Sequence, residues 1–147
     1  MKKALVLSLT ILLVAVFSVA PVFAEEAAKP EGPPFQVGMM AKGVKANDSS
    51  GAAVDLLTVG DRDKKVIMFT NTACSACKEA LRIVQQTVAG KADLIIVATD
   101  FGPFERIANY KEKNAFGGKW FQDEEFATPA MFDFGFTPAV AVVQKDG

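Results

Sequence analysis

Two cysteines separated by two residues are the side chains in this sequence best suited to chemistry. The chain has 147 residues, and Cys74 and Cys77 are its only cysteines. It contains no histidine, so the commonest general base and the commonest metal ligand are both missing. Serine-histidine-aspartate hydrolysis, histidine-ligated zinc and histidine-bound haem are therefore excluded. Two thiolates cannot complete a four-ligand structural zinc site, so we expect the two cysteines to react mainly with each other.

The residues around the pair place it where a strand turns into a helix. Val66–Phe69 is a continuous apolar run, and the segment from about Cys74 to Ala89 has the period of an amphipathic helix that Gly90 ends. Cys74 is expected at the helix N-terminus, where free backbone N–H groups and the helix dipole favour a thiolate. Cys77 falls one turn later in line with the apolar stripe, so its sulfur should be shielded.

An accessible thiolate beside a shielded thiol is the arrangement that thiol-disulfide exchange needs. Cys74 would attack a substrate disulfide to form a mixed disulfide, and Cys77 would then attack Cys74 to release the reduced substrate. In the reverse direction the same pair oxidises thiols. No cation stands between the cysteines, in Ser75-Ala76, to hold Cys74 strongly ionised, which favours a mild reductant or isomerase partner over a powerful oxidant.

Two alternatives to exchange chemistry start from the same pair. One is a purely structural disulfide, but a closed loop of four residues contributes only about 2 kcal/mol by chain entropy, against about 3 kcal/mol for fifteen residues. The other is a metal site shared between two chains.

Near-neutral charge, with 16 basic and 17 acidic residues, leaves no basic field for a nucleic-acid partner.

The N-terminus predicts export. Residues 1–24 read as a signal peptide: Lys2 and Lys3, an apolar run from Ala4 to Ala20, and small or apolar residues up to Ala24. The protein is then periplasmic; if the segment is not cleaved, it is a membrane anchor facing the periplasm, because about 20 apolar residues span a bilayer. Disulfides persist outside the cytosol. Residues 25–36 are rich in proline and acid and predict a flexible tether.

The other predicted elements complete an α/β domain. Leu94–Ala98 and Ala139–Val143, like the run before the cysteines, suit strands covered on both faces of a sheet that lies between helices. Weaker patterns predict short strands at 42–47 and 52–54 around a turn at 48–51, a helix from Pro103 to about Lys113, and a short helix within 124–132.

Over residues 37–147 the chain resembles the thioredoxin superfamily, and within it the exported TlpA/ResA-like, redoxin-type branch. The order strand, Cys-x-x-Cys helix, strand, helix and proline-led strand matches the family. The residues that carry it are Val66–Phe69, Cys74-Ser75-Ala76-Cys77 with Lys78, Leu94–Ala98, and Gly135-Phe136-Thr137-Pro138 leading into 139–147.

The resemblance implies a thioredoxin-like α/β fold, with a central mixed sheet flanked by helices, at 37–147. The family continues with one more strand and a final helix, so the domain at 37–147 is expected to be C-terminally incomplete, without that last strand and helix. Cys74 and Cys77 are implied to be the catalytic pair, Pro138 a cis-proline, and the backbone of Thr137 a binding site for a substrate strand. Phe134 and Phe136 are candidates for the edge of that groove. No metal and no cofactor beyond the redox-active Cys74–Cys77 disulfide is expected.

Several positions depart from the family pattern. Ala73 stands where the family often has Trp, and Met68 stands where classical thioredoxins have a buried acid. The TlpA/ResA-like branch often places Glu three residues after the second cysteine, where this chain has Ala80; Glu79 is the nearest acid. The sequence therefore leaves the proton-transfer group open.

The leading hypothesis is an exported thiol-disulfide oxidoreductase with protein thiols and disulfides as substrates, served by an upstream membrane or periplasmic redox donor. A redoxin-type thiol peroxidase is one alternative, although Ile67 and Asn71 stand where that chemistry needs Pro and Thr. A non-enzymatic copper(I) chaperone is the other, because paired thiolates bind soft cations.

Overall fold

The computed structural model describes residues 33–147, which form a six-stranded sheet with three α-helices. The predicted signal peptide, and the predicted tether as far as residue 32, lie outside the described residues. Among the helices described, none is both long and apolar enough to cross a membrane. In chain order the elements are β1 (Lys45–Asn47), β2 (Ala53–Asp55), a 3-10 turn (Leu56–Thr58), β3 (Lys64–Thr70), α1 (Ser75–Val88), β4 (Asp93–Ala98), α2 (Glu105–Lys113), β5 (Lys119–Gln122), α3 (Ala127–Met131) and β6 (Ala139–Gln144).

The sheet is mixed, as predicted, with the strand order β2-β1-β5-β4-β3-β6. Strands β3, β4 and β5 are parallel, and Val66 pairs with Leu94 across β3 and β4. Strand β6 runs antiparallel to β3, with Ala139 opposite Phe69. Because β6 runs in the opposite direction, its first residue lies at the sheet edge where β3 ends.

Each face of the sheet carries its own hydrophobic cluster. On one face Met68 and Ile96 pack with Leu81 of α1 and Ile107 of α2. On the other face Ile67, Phe69, Ile95 and Val97 pack with residues of the N-terminal segment, the 3-10 turn and the α3 region. Strands β3 and β4 are buried on both faces, as their continuous apolar runs predict.

Strand β6 differs from the prediction that it is covered on both faces. Its exposure alternates: Ala139, Ala141 and Val143 are buried, whereas Val140 and Val142 are 39% and 67% exposed. The physical reason is that β6 is the edge strand of the sheet. Val140 and Val142 lie on the same face as α1, outside the area that this helix covers.

The helices begin and end close to the predicted positions. Helix α1 has Cys74 as its N-cap and Ala89 as its C-cap. Helix α2 begins at Glu105, two residues later than the proline that the sequence suggests. Gln85 of α1 is half-buried, and its side-chain oxygen accepts the N–H of Gly117 at 2.6 Å.

Strand β5 is the element that the sequence did not predict. It has only four residues and follows Gly117 and Gly118, a pair that indicates a turn and not the start of a strand. The second glycine has a φ of +80°, and a Cβ there would lie 2.8 Å from Ile96 Cδ1 and 3.0 Å from the Leu94 oxygen. The glycine is therefore needed for β5 to approach β4 closely.

Candidate active site

The two cysteines lie at the junction of β3 and α1 and form a disulfide with their Cα atoms 5.2 Å apart. Cys74 has an extended backbone (φ −89°, ψ 111°) and caps the helix: its Sγ accepts the Cys77 N–H at 3.1 Å. Cys74 is half-buried and Cys77 is completely buried. Cys74 is thus the more exposed of the two residues and lies at a helix N-cap, and Cys77 is shielded.

A short loop of three residues carries the chain from β3 to Cys74 and is tied to the end of β4. The side-chain oxygen of Asn71 accepts the Ala73 N–H at 3.0 Å, and its backbone oxygen accepts the Cys74 N–H at 3.1 Å. Both carboxylate oxygens of Asp100 accept the Thr72 N–H, at 3.1 and 3.0 Å, and one also accepts the Thr72 hydroxyl. The loop is therefore held by a residue that follows another strand, β4.

Thr137 and Pro138 lie at the same edge of the sheet as Cys74. They precede β6, whose first residue pairs with Phe69 at the end of β3. The Thr137–Pro138 peptide bond is cis, as predicted. Both residues are half-buried. The fold thus brings all four predicted site residues, from segments about sixty positions apart, to one edge.

The two candidate groove aromatics have different environments. Phe134 is half-buried and packs on Phe69 and Phe132, with ring centroids 5.9 and 6.3 Å apart, so it belongs to the core. Phe136 is 70% exposed, directly before Thr137. Of the two, only Phe136 remains a candidate for the edge of a groove.

Solved structures with the same architecture include redox proteins. The thioredoxin domain of a thiol-disulfide oxidoreductase from Bacteroides vulgatus matches with a TM-score of 0.63 at 16% identity, over 77% of this chain and 84% of that one. A secreted Mycobacterium tuberculosis disulfide oxidoreductase homologous to Escherichia coli DsbE matches with a TM-score of 0.57 at 19% identity, over 70% and 77%. StoA from Bacillus subtilis matches with a TM-score of 0.53 at 13% identity, over 70% and 80%.

The chain has a thioredoxin-like fold. No protein-family model and no curated protein matches it. At these identities the likeness concerns the architecture, and the chemistry of this thioredoxin-like domain rests on its own residues.

The position of the classical buried acid holds no acid here, and Glu79, the nearest acid that the sequence offered, lies on the helix surface. Met68, at the position of the classical buried acid, is fully buried in the cluster beneath α1. The Glu79 side chain is 67% exposed and lies 3.6 Å from Arg82, on the solvent side of the helix. The acid that this thioredoxin-like domain does bury beside the loop is Asp100, which is 4% exposed.

Sequence reasoning missed Asp100, although one signal for it was present. The residue lies two positions after the end of the buried strand β4, and the carboxyl ends of the parallel strands β3 and β4 meet at one edge. A polar residue at that point is therefore brought next to the segment that follows β3. The signal becomes useful only when the pairing of the two strands is known.

Tyr110 of α2 adds a second unusual group on the helical side of the domain. Burial raises the pKa of the Tyr110 hydroxyl above its ordinary value, and the negative charge of Asp100 raises it further, whereas Arg82 lowers it. The hydroxyl has no hydrogen-bond partner within residues 33–147. The group is therefore neutral at physiological pH.

Within the described part of the chain, no cluster of three or more histidine, cysteine, aspartate or glutamate side chains could hold a metal ion. Residues 71–77 offer two sulfurs and backbone N–H groups, and Asp100 beside them offers one buried carboxylate. Its chemistry is that of the sulfur pair.

Proposed function

We propose that this chain is an exported thiol-disulfide oxidoreductase that exchanges disulfides with protein substrates through Cys74 and Cys77. The observation that carries the proposal is the asymmetry of the pair: Cys74 is accessible at the N-cap of α1, and Cys77 is buried one turn later. A disulfide that only braced the fold would not need one sulfur placed where a helix N-terminus stabilises its thiolate.

The proposed reaction in the reducing direction has two steps. The Cys74 thiolate attacks one sulfur of a substrate disulfide, a Cys74–substrate disulfide forms, and the other substrate sulfur leaves as a thiolate that takes up a proton from water. The Cys77 thiol then loses its proton and attacks Cys74 Sγ. The Cys74–Cys77 disulfide forms and the second substrate thiolate leaves, so the substrate gains two electrons and the protein loses two.

The protein then needs a redox partner but no separate cofactor. A reducing partner, which we propose to be a membrane or periplasmic thiol donor, restores the dithiol by the same chemistry. In the opposite direction, the disulfide form accepts two electrons from substrate thiols.

Thr137 and Pro138 are the residues that we propose to contact the substrate strand. The support is their position: they precede β6, which pairs with β3, and β3 ends in the loop that leads to Cys74. Exposed Phe136 would extend this contact with an apolar surface. Export is supported by the predicted leader at residues 1–24 and by the description of the Mycobacterium tuberculosis structure as secreted.

A disulfide-reduction assay tests the proposal directly. The chain from residue 25 onward, with dithiothreitol as electron donor, should accelerate the reduction of insulin disulfides. Cys74→Ser should abolish the acceleration. Cys77→Ser should lose turnover but accumulate a mixed disulfide with the substrate, because the first step survives and the second does not. Glu79→Gln, an exposed change in the same helix, is the control and should retain wild-type activity.

Two outcomes would contradict this function. One is a wild-type protein that gives no acceleration and whose disulfide resists dithiothreitol. The other is equal activity in wild type and Cys74→Ser. Peroxide consumption in the absence of exchange would favour the peroxidase alternative instead.

A further inference from the structure

Asp100 is buried, and within residues 33–147 its carboxylate accepts hydrogen bonds from one residue, Thr72 of the active-site loop. Asp100 lies two residues after β4 and is 4% exposed. Its oxygens accept the Thr72 N–H and the Thr72 hydroxyl, from a residue 28 positions away in the chain. Burial of a carboxylate is costly unless hydrogen bonds replace its water. Here those hydrogen bonds come from Thr72.

The loop that Asp100 holds has few other attachments to the sheet. Asn71 Nδ2 donates to the Thr99 oxygen at 3.4 Å, a long hydrogen bond. The remaining bonds of the loop are internal and lead to the cysteine: Asn71 accepts the N–H groups of both Ala73 and Cys74. The position of Thr72 therefore determines how Cys74 enters α1.

We propose that Asp100 is a positioning residue for Cys74: by holding Thr72, it keeps Cys74 at the N-cap of α1, where the sulfur accepts the Cys77 N–H. That N–H donor stabilises the Cys74 thiolate once the disulfide is reduced, because a hydrogen bond to the charged form favours it. The importance of this effect for turnover rests on the proposed oxidoreductase function. The positioning itself does not.

Removal of the Asp100 carboxylate has two effects on the pKa of Cys74, and the two have opposite signs. Without the anchor, Cys74 moves from its N-cap geometry and loses an N–H donor, so the pKa of Cys74 rises. Loss of a nearby negative charge acts in the other direction and lowers the pKa of Cys74. Charged groups at this edge include Lys78 and Glu79 in α1, Asp100 after β4, and Asp123 and Glu124 after β5, whereas 136–138 before β6 carry none. The sign of the change therefore separates positioning from charge.

The test measures the pKa of the single thiol in Cys77→Ser protein, from thiolate absorbance and the rate of alkylation against pH. Asp100→Ala should raise the pKa of Cys74 by about one unit, so that the thiolate fraction at neutral pH falls about tenfold. Thr72→Val keeps the backbone bond and loses only the hydroxyl, so a fall of about threefold is expected. Thr72→Ser restores the hydroxyl and should match the Cys77→Ser parent.

Asp93→Ala is the matched control at the other end of β4. Asp93 accepts the Arg62 N–H at 2.8 Å and lies 3.7 Å from Lys65 Nζ, so its loss weakens the fold without touching the loop. This variant should be less stable and leave the pKa of Cys74 unchanged. If Asp100→Ala does not fold, Thr72→Val and Thr72→Ser decide the question, because both are conservative changes at a half-buried position.

The proposal is overturned if Thr72→Val leaves the pKa of Cys74 unchanged, if Asp100→Ala lowers it, or if Asp93→Ala raises it equally. No substrate is needed for this measurement. A chain that does not reduce insulin but responds as stated would contradict the proposed function while supporting the positioning role of Asp100.

Discussion

At the scale of single residues, two identical side chains acquire different roles from their environments. Cys74 lies at the N-cap and is half-buried, and Cys77 lies one turn later with no exposed area. The accessible sulfur can reach a substrate, whereas the buried sulfur can reach only its partner. This difference gives the proposed reaction its order, with Cys74 attacking first and Cys77 resolving.

Tyr110 shows the cost of a buried polar group without a partner. Its ring packs against Phe116 and Trp120, with centroids 5.7 and 6.3 Å apart, while its hydroxyl has no hydrogen-bond partner within residues 33–147. The contribution of Tyr110 to stability is therefore expected to come from the ring and not from the hydroxyl.

Tyr110→Phe should leave the free energy of unfolding at neutral pH unchanged or raise it by up to about 1 kcal/mol. The pKa of the hydroxyl is raised in the folded protein. The stability that the protonated hydroxyl contributes is therefore fully present below the unfolded pKa near 10, and it is lost as pH rises through the folded pKa. The Phe variant lacks that alkaline loss. Urea unfolding at neutral pH and above pH 10 measures both effects.

Tyr110→Leu, which removes the ring contacts, is the comparison variant and should be destabilised. A loss of more than about 2 kcal/mol in Tyr110→Phe at neutral pH would show that the hydroxyl is hydrogen-bonded in solution.

At the scale of elements, the start of β5 depends on backbone freedom at one position. Gly118 has a left-handed conformation and lies against Leu94 and Ile96 of β4, whereas a Cβ at Gly117 would meet only Gln85 Oε1 at 3.5 Å. The two adjacent glycines therefore place different demands on the chain. Only the second allows β5 to reach its parallel partner.

Gly118→Ala should lower the free energy of unfolding by about 2–3 kcal/mol, from left-handed strain together with overpacking against β4. Gly117→Ala, one residue earlier, should change it by less than about 1 kcal/mol, because its contact is ordinary. Urea denaturation of both variants beside wild type makes the comparison. Equal losses in the two variants would contradict this account of the β5 start.

At the scale of the whole molecule, the sheet is covered unevenly. Its centre has helices on one face and the 3-10 turn, α3 and the N-terminal segment on the other. At one side β6 forms the edge, with Val142 exposed and no charged residue between Ala139 and Gln144. An uncharged, valine-rich edge strand can pair with another chain.

Val142→Lys should reduce self-association of the chain while it changes the free energy of unfolding by less than about 0.5 kcal/mol, because the side chain is largely exposed. Val143→Lys, at the adjacent position that faces the core, should instead destabilise the fold by several kcal/mol. Light scattering and thermal unfolding check the pair. Unchanged scattering in folded Val142→Lys would show that the β6 edge does not drive association.

Much of the fold could be predicted because its signals are local. The apolar runs of β3 and β4, the period of α1 and its termination at Gly90 depend on residues within one element. The helix-start position of Cys74 depends on the same local pattern. Strand β5 was not predicted because four residues are too few to show a hydrophobic period. Its formation also depends on the fit of Gly118 against β4.

The sequence by itself determined that the chemistry belongs to Cys74 and Cys77, since no other thiol and no histidine exists to replace them. It also indicated which of the two sulfurs is accessible. Only the tertiary structure decided that Asp100 holds the loop before Cys74, that Glu79 faces solvent, and that β6 leaves one face open. Those features depend on which strands become neighbours. Strand pairing joins residues far apart in the chain, and no local period or cap records it.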